Sequence, residues 1–314
     1  MGRALFVTAF FVVGCGHDVA FSDPANDAAV DTVVADTKPP VETITDTPDT
    51  ACKAFATARC TKFGTCEPFV RDIFFDTDAL CIERLSRQCL GGLSANGSNK
   101  TPADVRTCAT AVEAQTCDTF QRGEPIECTP KPGKLPNAAG CYDDGQCASA
   151  FCARGLFITC GKCAPPPTEG ATCVSGACPV TLACSAGVCV KPGGVGAACK
   201  ATSACAQTLA CRKGVCAAHA KGDACDPGAA SPECSFSAGL FCDGATMQCQ
   251  SLTLATIGVA CAGAFSCRGA SCVAGTCAPL LLDGASCSGA TAACKSPLVC
   301  VSGTCALPDS KTCP

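Results

Sequence analysis

Apolar and polar positions divide the chain into four stretches of different character. Ala4 to Val13 is a short unbroken apolar run behind Met1-Gly2-Arg3. Residues 16–50 are rich in Asp, Thr, Pro, Val and Ala and show no periodic apolar face. Between 51 and 128, apolar residues fall at helical spacing in three places: Phe55, Cys60 and Phe63; Cys81, Leu85 and Cys89; Val105, Cys108 and Val112. Beyond residue 140 the dominant signal is a tandem repeat of Gly and Cys.

The three helices have readable ends. Thr50 is placed to cap a helix from about Ala51 to Phe63, with Gly64 as its stop. Asp78 is placed to cap a second, ended by Gly91-Gly92. Thr101-Pro102-Ala103-Asp104 opens a third, with a capping residue, Pro at the first helical position and an acid at the third. Cysteines on the inner faces of such short helices predict disulfide stapling of helix to helix.

The repeats open with Gly, two small or polar residues and Cys, at Gly170, Gly196, Gly222, Gly258 and Gly284. Their cysteines are Cys173, Cys178, Cys184 and Cys189; Cys199, Cys205, Cys211 and Cys216; Cys225, Cys234, Cys242 and Cys249; Cys261, Cys267, Cys272 and Cys277; Cys287, Cys294, Cys300 and Cys305. Most units close on Cys-x-x-Gly-x-Cys, as in Cys211-Arg-Lys-Gly214-Val-Cys216. A Gly at that fixed offset predicts a positive-φ turn and a small two-stranded ribbon. Of three connectivities for four cysteines, first to third and second to fourth is favoured, with the closing pair on adjacent strands and each reaching back separately. A divergent leading unit, Cys141 to Cys163, has five cysteines, and Cys313 follows the last repeat. The two odd thiols pair with each other, which folds the array back on itself, or borrow across a boundary such as Cys128, which suits a string of self-contained units.

Composition sharpens this picture. Of 314 residues 35 are Cys, above the roughly 8–10% that marks a disulfide scaffold. Trp is absent and Tyr occurs once. Large core-forming side chains are scarce, so small stapled modules replace one continuous core. The expected fold is therefore a set of small disulfide-rich modules in tandem, made of short β-hairpins with little regular structure. They follow a small α-helical disulfide-bonded domain, and the whole is extended. The expected segments are 1–14, a signal peptide; 15–50, a tether; 51–128, the helical Cys-rich domain; 129–169, the leading unit; then repeats at 170–195, 196–221, 222–257, 258–283 and 284–314, the last with a tail.

The segment Val12-Val13-Gly14-Cys15 resembles the signal of bacterial lipoproteins, with its apolar, small, small, Cys box. The resemblance implies that Cys15 is lipidated and becomes the first residue of the mature protein. It also implies a membrane partner through the lipid. Gly16 and His17 after it point to the outer membrane or cell surface, since Asp there favours inner-membrane retention. Without Cys15 the cysteine count is even, as full pairing requires. The alternative is an ordinary signal peptide with a nearby free Cys. Residues 15–50 hold eight acids against one Lys, and such a segment cannot bury enough surface to fold. It acts as a tether of roughly 35 Å as a coil and about 110 Å stretched. The repeat spacing resembles the Dickkopf N-terminal cysteine-rich region and EB-type modules. With the lipobox and helical domain, the chain resembles cysteine-rich lipoproteins of myxobacteria.

Candidate chemistry is thin. Cys160-Gly161-Lys162-Cys163 could be a redox pair, but its Gly- and Pro-rich setting favours structural disulfides. Clustered thiolates could bind zinc or copper, whereas export favours oxidation. His219, one of only two histidines, lies in a linker and reads as solvated. Asp143-Asp144 and Asp76-x-Asp78 lack the further oxygen ligands of a calcium loop. No catalytic residue, metal or cofactor is expected. Residues 51–314 carry 21 basic and 19 acidic side chains, which argues against nucleic acid. The expected role is a non-enzymatic, membrane-anchored envelope lipoprotein whose modules serve adhesion, structure or binding of a protein partner. The alternative is a displayed protease-inhibitor-like molecule, with the insertion Asp226–Phe241 as its exposed loop.

Overall fold

The computed structural model describes residues 46–154, 160–229, 232–261, 266–287, 294–295, 298–306 and 313. Five helices come first: α1 (Pro48–Cys66), α2 (Pro68–Phe74), α3 (Asp78–Ser94), α4 (Pro102–Ala114) and α5 (Cys117–Phe120). Their ends correct the sequence expectation in detail. Thr47, not Thr50, caps α1, and Thr50 is the third helical residue that completes the capping box. Pro48 explains the earlier start, because a missing N–H costs nothing at the first helical position. Gly64 does not stop α1, which runs on to Cys66. Likewise Thr77 caps α3 in place of Asp78, and α3 passes through Gly91-Gly92 to Ser94. The helix α4 begins at the Thr101/Asp104 capping box as expected. The short α2 was not anticipated.

Four disulfides hold the helices together. Cys52–Cys89 and Cys60–Cys81 join α1 to α3, Cys66–Cys117 joins α1 to α5, and Cys108–Cys128 joins α4 to the 3-10 turn Ile126–Cys128. Two apolar clusters flank them. Ala51, Cys52, Cys89 and Val105 form one, and Ala58, Cys66, Cys108, Val112 and Phe120 form the other. Phe63 meets Phe120 edge to face, with ring centres 5.5 Å apart.

A modular array of small, separate sheets follows. The leading unit has β1 (Gly140–Cys141), β2 (Cys152–Ala153) and β3 (Gly161–Cys163), with β3 central. Each later unit is one antiparallel hairpin: β4 (Ala183–Ser185) with β5 (Val188–Val190), β6 (Ala210–Arg212) with β7 (Val215–Ala217), β8 (Leu240–Asp243) with β9 (Gln248–Ser251), β10 (Ala270–Val273) with β11 (Thr276–Pro279), and β12 (Val299–Val301) with β13 (Thr304–Ala306). In every repeat the first cysteine bonds the third and the second bonds the fourth. The closing cysteines face each other in register, as Cys211 does Cys216, yet each bonds elsewhere. The leading unit follows the same rule with Cys141–Cys152 and Cys147–Cys163.

One backbone device recurs. The N–H of each opening Gly donates to the carbonyl of the fourth cysteine, at 2.8 Å in all five repeats. Gly170, Gly196, Gly222, Gly258 and Gly284 all sit at φ between 79° and 92°, which side chains rarely adopt. The recurrent Gly in the sequence is thus the residue that lets the chain turn back onto its own hairpin.

The separate units each touch the helical domain. Gln146 Nε2 donates to Asn96 O at 2.9 Å, and Tyr142 to Gly91 O. Gln207 N donates to Gln121 O at 2.9 Å. Phe236 packs edge to face on Phe69 at 5.6 Å. Gly269 N donates to Asp72 O at 2.9 Å, beside an Arg268–Asp72 ion pair at 2.8 Å. Arg87 reaches Asp283 at 2.6 Å. The circuit is closed by Cys160–Cys313, which spans 153 residues. Borrowing from Cys128 is thereby overturned, because Cys128 is committed to Cys108.

An unconstrained loop of that length would lose roughly 5 kcal/mol of chain entropy on closure. The bonds inside it already shorten the loop, so the actual contribution is smaller, about 2–4 kcal/mol. The double variant Cys160→Ser/Cys313→Ser is expected to keep the remaining disulfides but to lose stability by about that amount. Small-angle scattering is expected to show a larger radius of gyration and limited proteolysis an early cut after residue 258. An unchanged radius and cutting pattern would show that the noncovalent contacts suffice.

Candidate interaction surface of the repeats

The hairpin tips are built alike. Ala186-Gly187, Lys213-Gly214, Ala274-Gly275 and Ser302-Gly303 all have positive φ at both central residues. That matches the two-residue turn whose twist suits paired strands. A side chain added at Gly187, Gly275 or Gly303 would meet nothing within 4 Å, so these tips stand clear. Beside the openings, Val195, Ile257 and Leu282 are 76%, 59% and 61% exposed. Each lies one or two residues before an opening Gly. The array thus presents an apolar side chain at corresponding places on three repeats, a feature sequence reading missed because single apolar residues in linkers carry no periodic signal.

The singled-out residues fall as follows. Cys15 lies outside the described residues. Every cysteine among the described residues is in a disulfide. Cys160 and Cys163 are not joined to each other, so this C-x-x-C is no dithiol pair. Sulfurs within a unit do lie close enough together for a metal, as in Cys141, Cys147 and Cys152, but as disulfides they offer no thiolate. Asp143 caps a 3-10 turn, and Asp144 accepts from Cys152 N at 2.7 Å. Burial pushes the Asp144 carboxyl up, against the backbone bond that lowers it. Asp76 faces Arg268, and Asp78 pairs with Arg71 at 3.0 Å. These carboxylates hold structure together.

The expectation for His219 does not hold. The His219 side chain is 2% exposed, so the linker histidine is buried and not solvated. Neither ring nitrogen has a hydrogen-bond partner among the described residues, and Nδ1 stands 3.6 Å from Asp223. Burial, and then Arg212, push its pKa below the ordinary value, while Asp223 and Glu233 pull the other way. The second half of the insertion Asp226–Phe241 is partly packed, whereas Phe241 at its end is 41% exposed. Phe236 packs on Phe69, and Ser235 and Ser237 are buried.

Comparison with protein families, with characterised proteins and with solved structures finds no match. Among the described residues no helix is long and apolar enough to cross a membrane. The density of disulfides marks an exported protein that folds in an oxidising compartment.

The buried imidazole has a pH consequence with a definite sign. Its folded pKa is lowered, so the unfolded chain takes up the proton first as pH falls through about 6.5. Stability present above that value is lost below it. His219→Gln is expected to lose less stability than the parent between pH 7 and pH 5 in denaturant titrations without reductant. An equal loss in both proteins would remove His219 as a source of acid sensitivity.

Proposed function

We propose that the protein is a non-enzymatic lipoprotein of the bacterial envelope, held through a lipid on Cys15 and displaying its repeats to a protein partner. The observation that carries this reading is the state of the cysteines. All those from Cys52 onward are paired, and Cys15 is left over at the end of an apolar, small, small box. Residues 16–50 then form the acidic tether, and the outer membrane or cell surface is the expected location. Its myxobacterial-type resemblance and that of the repeats to Dickkopf and EB-type modules belong to this proposal. The clear hairpin tips and the exposed Val195, Ile257 and Leu282 are the features a partner would meet. An adhesive or structural role in the envelope is the same arrangement used against a surface. A rigid closed array suits such work, because a preordered surface loses little entropy on binding.

Two measurements test the reading. Cys15→Ser is expected to move the protein from the membrane fraction to the soluble fraction and to abolish acyl labelling; unchanged fractionation and labelling would remove the anchor. Non-reducing mass spectrometry of the mature protein is expected to find no alkylatable thiol. Many free thiols, or stoichiometric zinc, would replace the disulfide reading with a metal one.

A further inference from the structure

We propose that the cleft between the helical domain and the first two repeats binds a small primary alkylammonium ion. The cleft measures about 260 Å³ and is lined by Arg59, Phe63, Glu67, Val112, Gln115, Phe120, Gly123 and Glu124 from the helical domain, with Val180 and Gln207 from the repeats. Glu67 lies at its floor and is fully buried. The residue sits between α1 and α2, where Pro68 breaks the helix, yet its side chain makes no capping bond to α2. Both carboxyl oxygens lack a hydrogen-bond partner among the described residues, and so does Gln115 Oε1. Native proteins rarely leave such groups unpaired.

The unpaired set has a chemical meaning. Three oxygens stand against one unpaired N–H, Arg59 Nε. The guanidinium of Arg59 is already matched by Glu124 and lies over the rings of Phe55 and Phe63. Lys62 is turned to the backbone oxygen of Gln115. With Arg59 matched by Glu124, an ionised Glu67 leaves the cleft short of N–H donors and of one positive charge. A primary ammonium supplies three N–H groups, and its alkyl stem suits the apolar walls of Phe63, Phe120, Val112 and Val180. Burial pushes the Glu67 carboxyl up to about 8, against the opposing charge of Arg59. The raised value favours the protonated acid, and binding of the cation expels that proton to solvent and leaves an ion pair.

The test is calorimetry on the full-length oxidised chain with n-butylammonium, using n-butanol and tetramethylammonium as controls that lack the three N–H donors. One-to-one binding is expected with a Kd on the order of 1 mM, within reach of a five-atom ligand. Affinity is expected to rise roughly tenfold per pH unit up to about 8, with release of about one proton per ligand below that pH. Glu67→Gln is isosteric with the neutral acid, so it is expected to fold, and to weaken binding at least tenfold and abolish the pH dependence. A circular dichroism melt checks the fold separately. No binding by the parent at pH 8, equal binding of either control, or equal binding by Glu67→Gln would each overturn the assignment.

Discussion

A unit of about 26 residues cannot take enough apolar surface out of water to fold, and in each repeat two disulfides stand where that core would be. In the second repeat Cys205 and Cys216 are buried together with Ala206 and Leu209, and little else of size is present. By the chain-entropy model, closing a loop of 11 or 12 residues contributes roughly 3 kcal/mol. Fully burying one Leu or Val contributes about 1.5–3 kcal/mol. Two crossed bonds therefore do the work of two or three large side chains that the unit does not have. The bonds also set the register, because the opening Gly donates to the carbonyl of the same cysteine that closes the second bond.

Because each unit is satisfied internally, its contact with the helical domain is small. Gln207 offers one backbone bond, Phe236 one ring contact, Arg268 ion pairs with Asp72 and Asp76, and Asp283 one ion pair. Exposed ion pairs contribute about 0–1 kcal/mol, so no single contact pins a unit. The array holds its path by the number of such contacts and by the covalent closure at Cys313. That closure converts a row of weak attachments into one circuit, in which a unit that lets go stays near its place.

What the sequence revealed follows the same division. The repeat period, the ribbon turns and the pairing rule are local, written in the spacing of Gly and Cys, and could be read directly. The closed path could not, since its contacts rest on single residues such as Gln207 and Arg268 with no pattern to announce them. A fifth cysteine in the leading unit and Cys313 are odd by count, but parity cannot say which of the five is unpaired or choose between a near and a distant partner. The seven residues of α2 are too few to show a helical period, and Pro68 just after the α1 stretch reads as a loop. At α1 two threonines three apart compete for the same cap, and Pro48 decides between them. His219 looked solvated because its neighbours are Ala and Lys; its burial comes from chain folding that the sequence does not display. The clear turns and exposed Val195, Ile257 and Leu282 rest on placement as well.

The Glu67 cleft ties these levels together. Its floor and most of its walls come from the helical domain, but Val180 and Gln207 of the first two repeats complete it. The seam there is close: a side chain at Gly123 would lie 2.9 Å from Val180 O. The burial that pushes the Glu67 carboxyl up to about 8 is therefore shared between domain and array. Anything that loosens the first repeats from the domain admits water to Glu67 and favours its ionised form. Linkage makes the relation reciprocal, so ionising Glu67 without a bound ligand weakens the seating of those repeats, and a bound alkylammonium restores it. The same carboxyl that has no hydrogen-bond partner among the described residues is thus the point at which a ligand and the closed array act on each other.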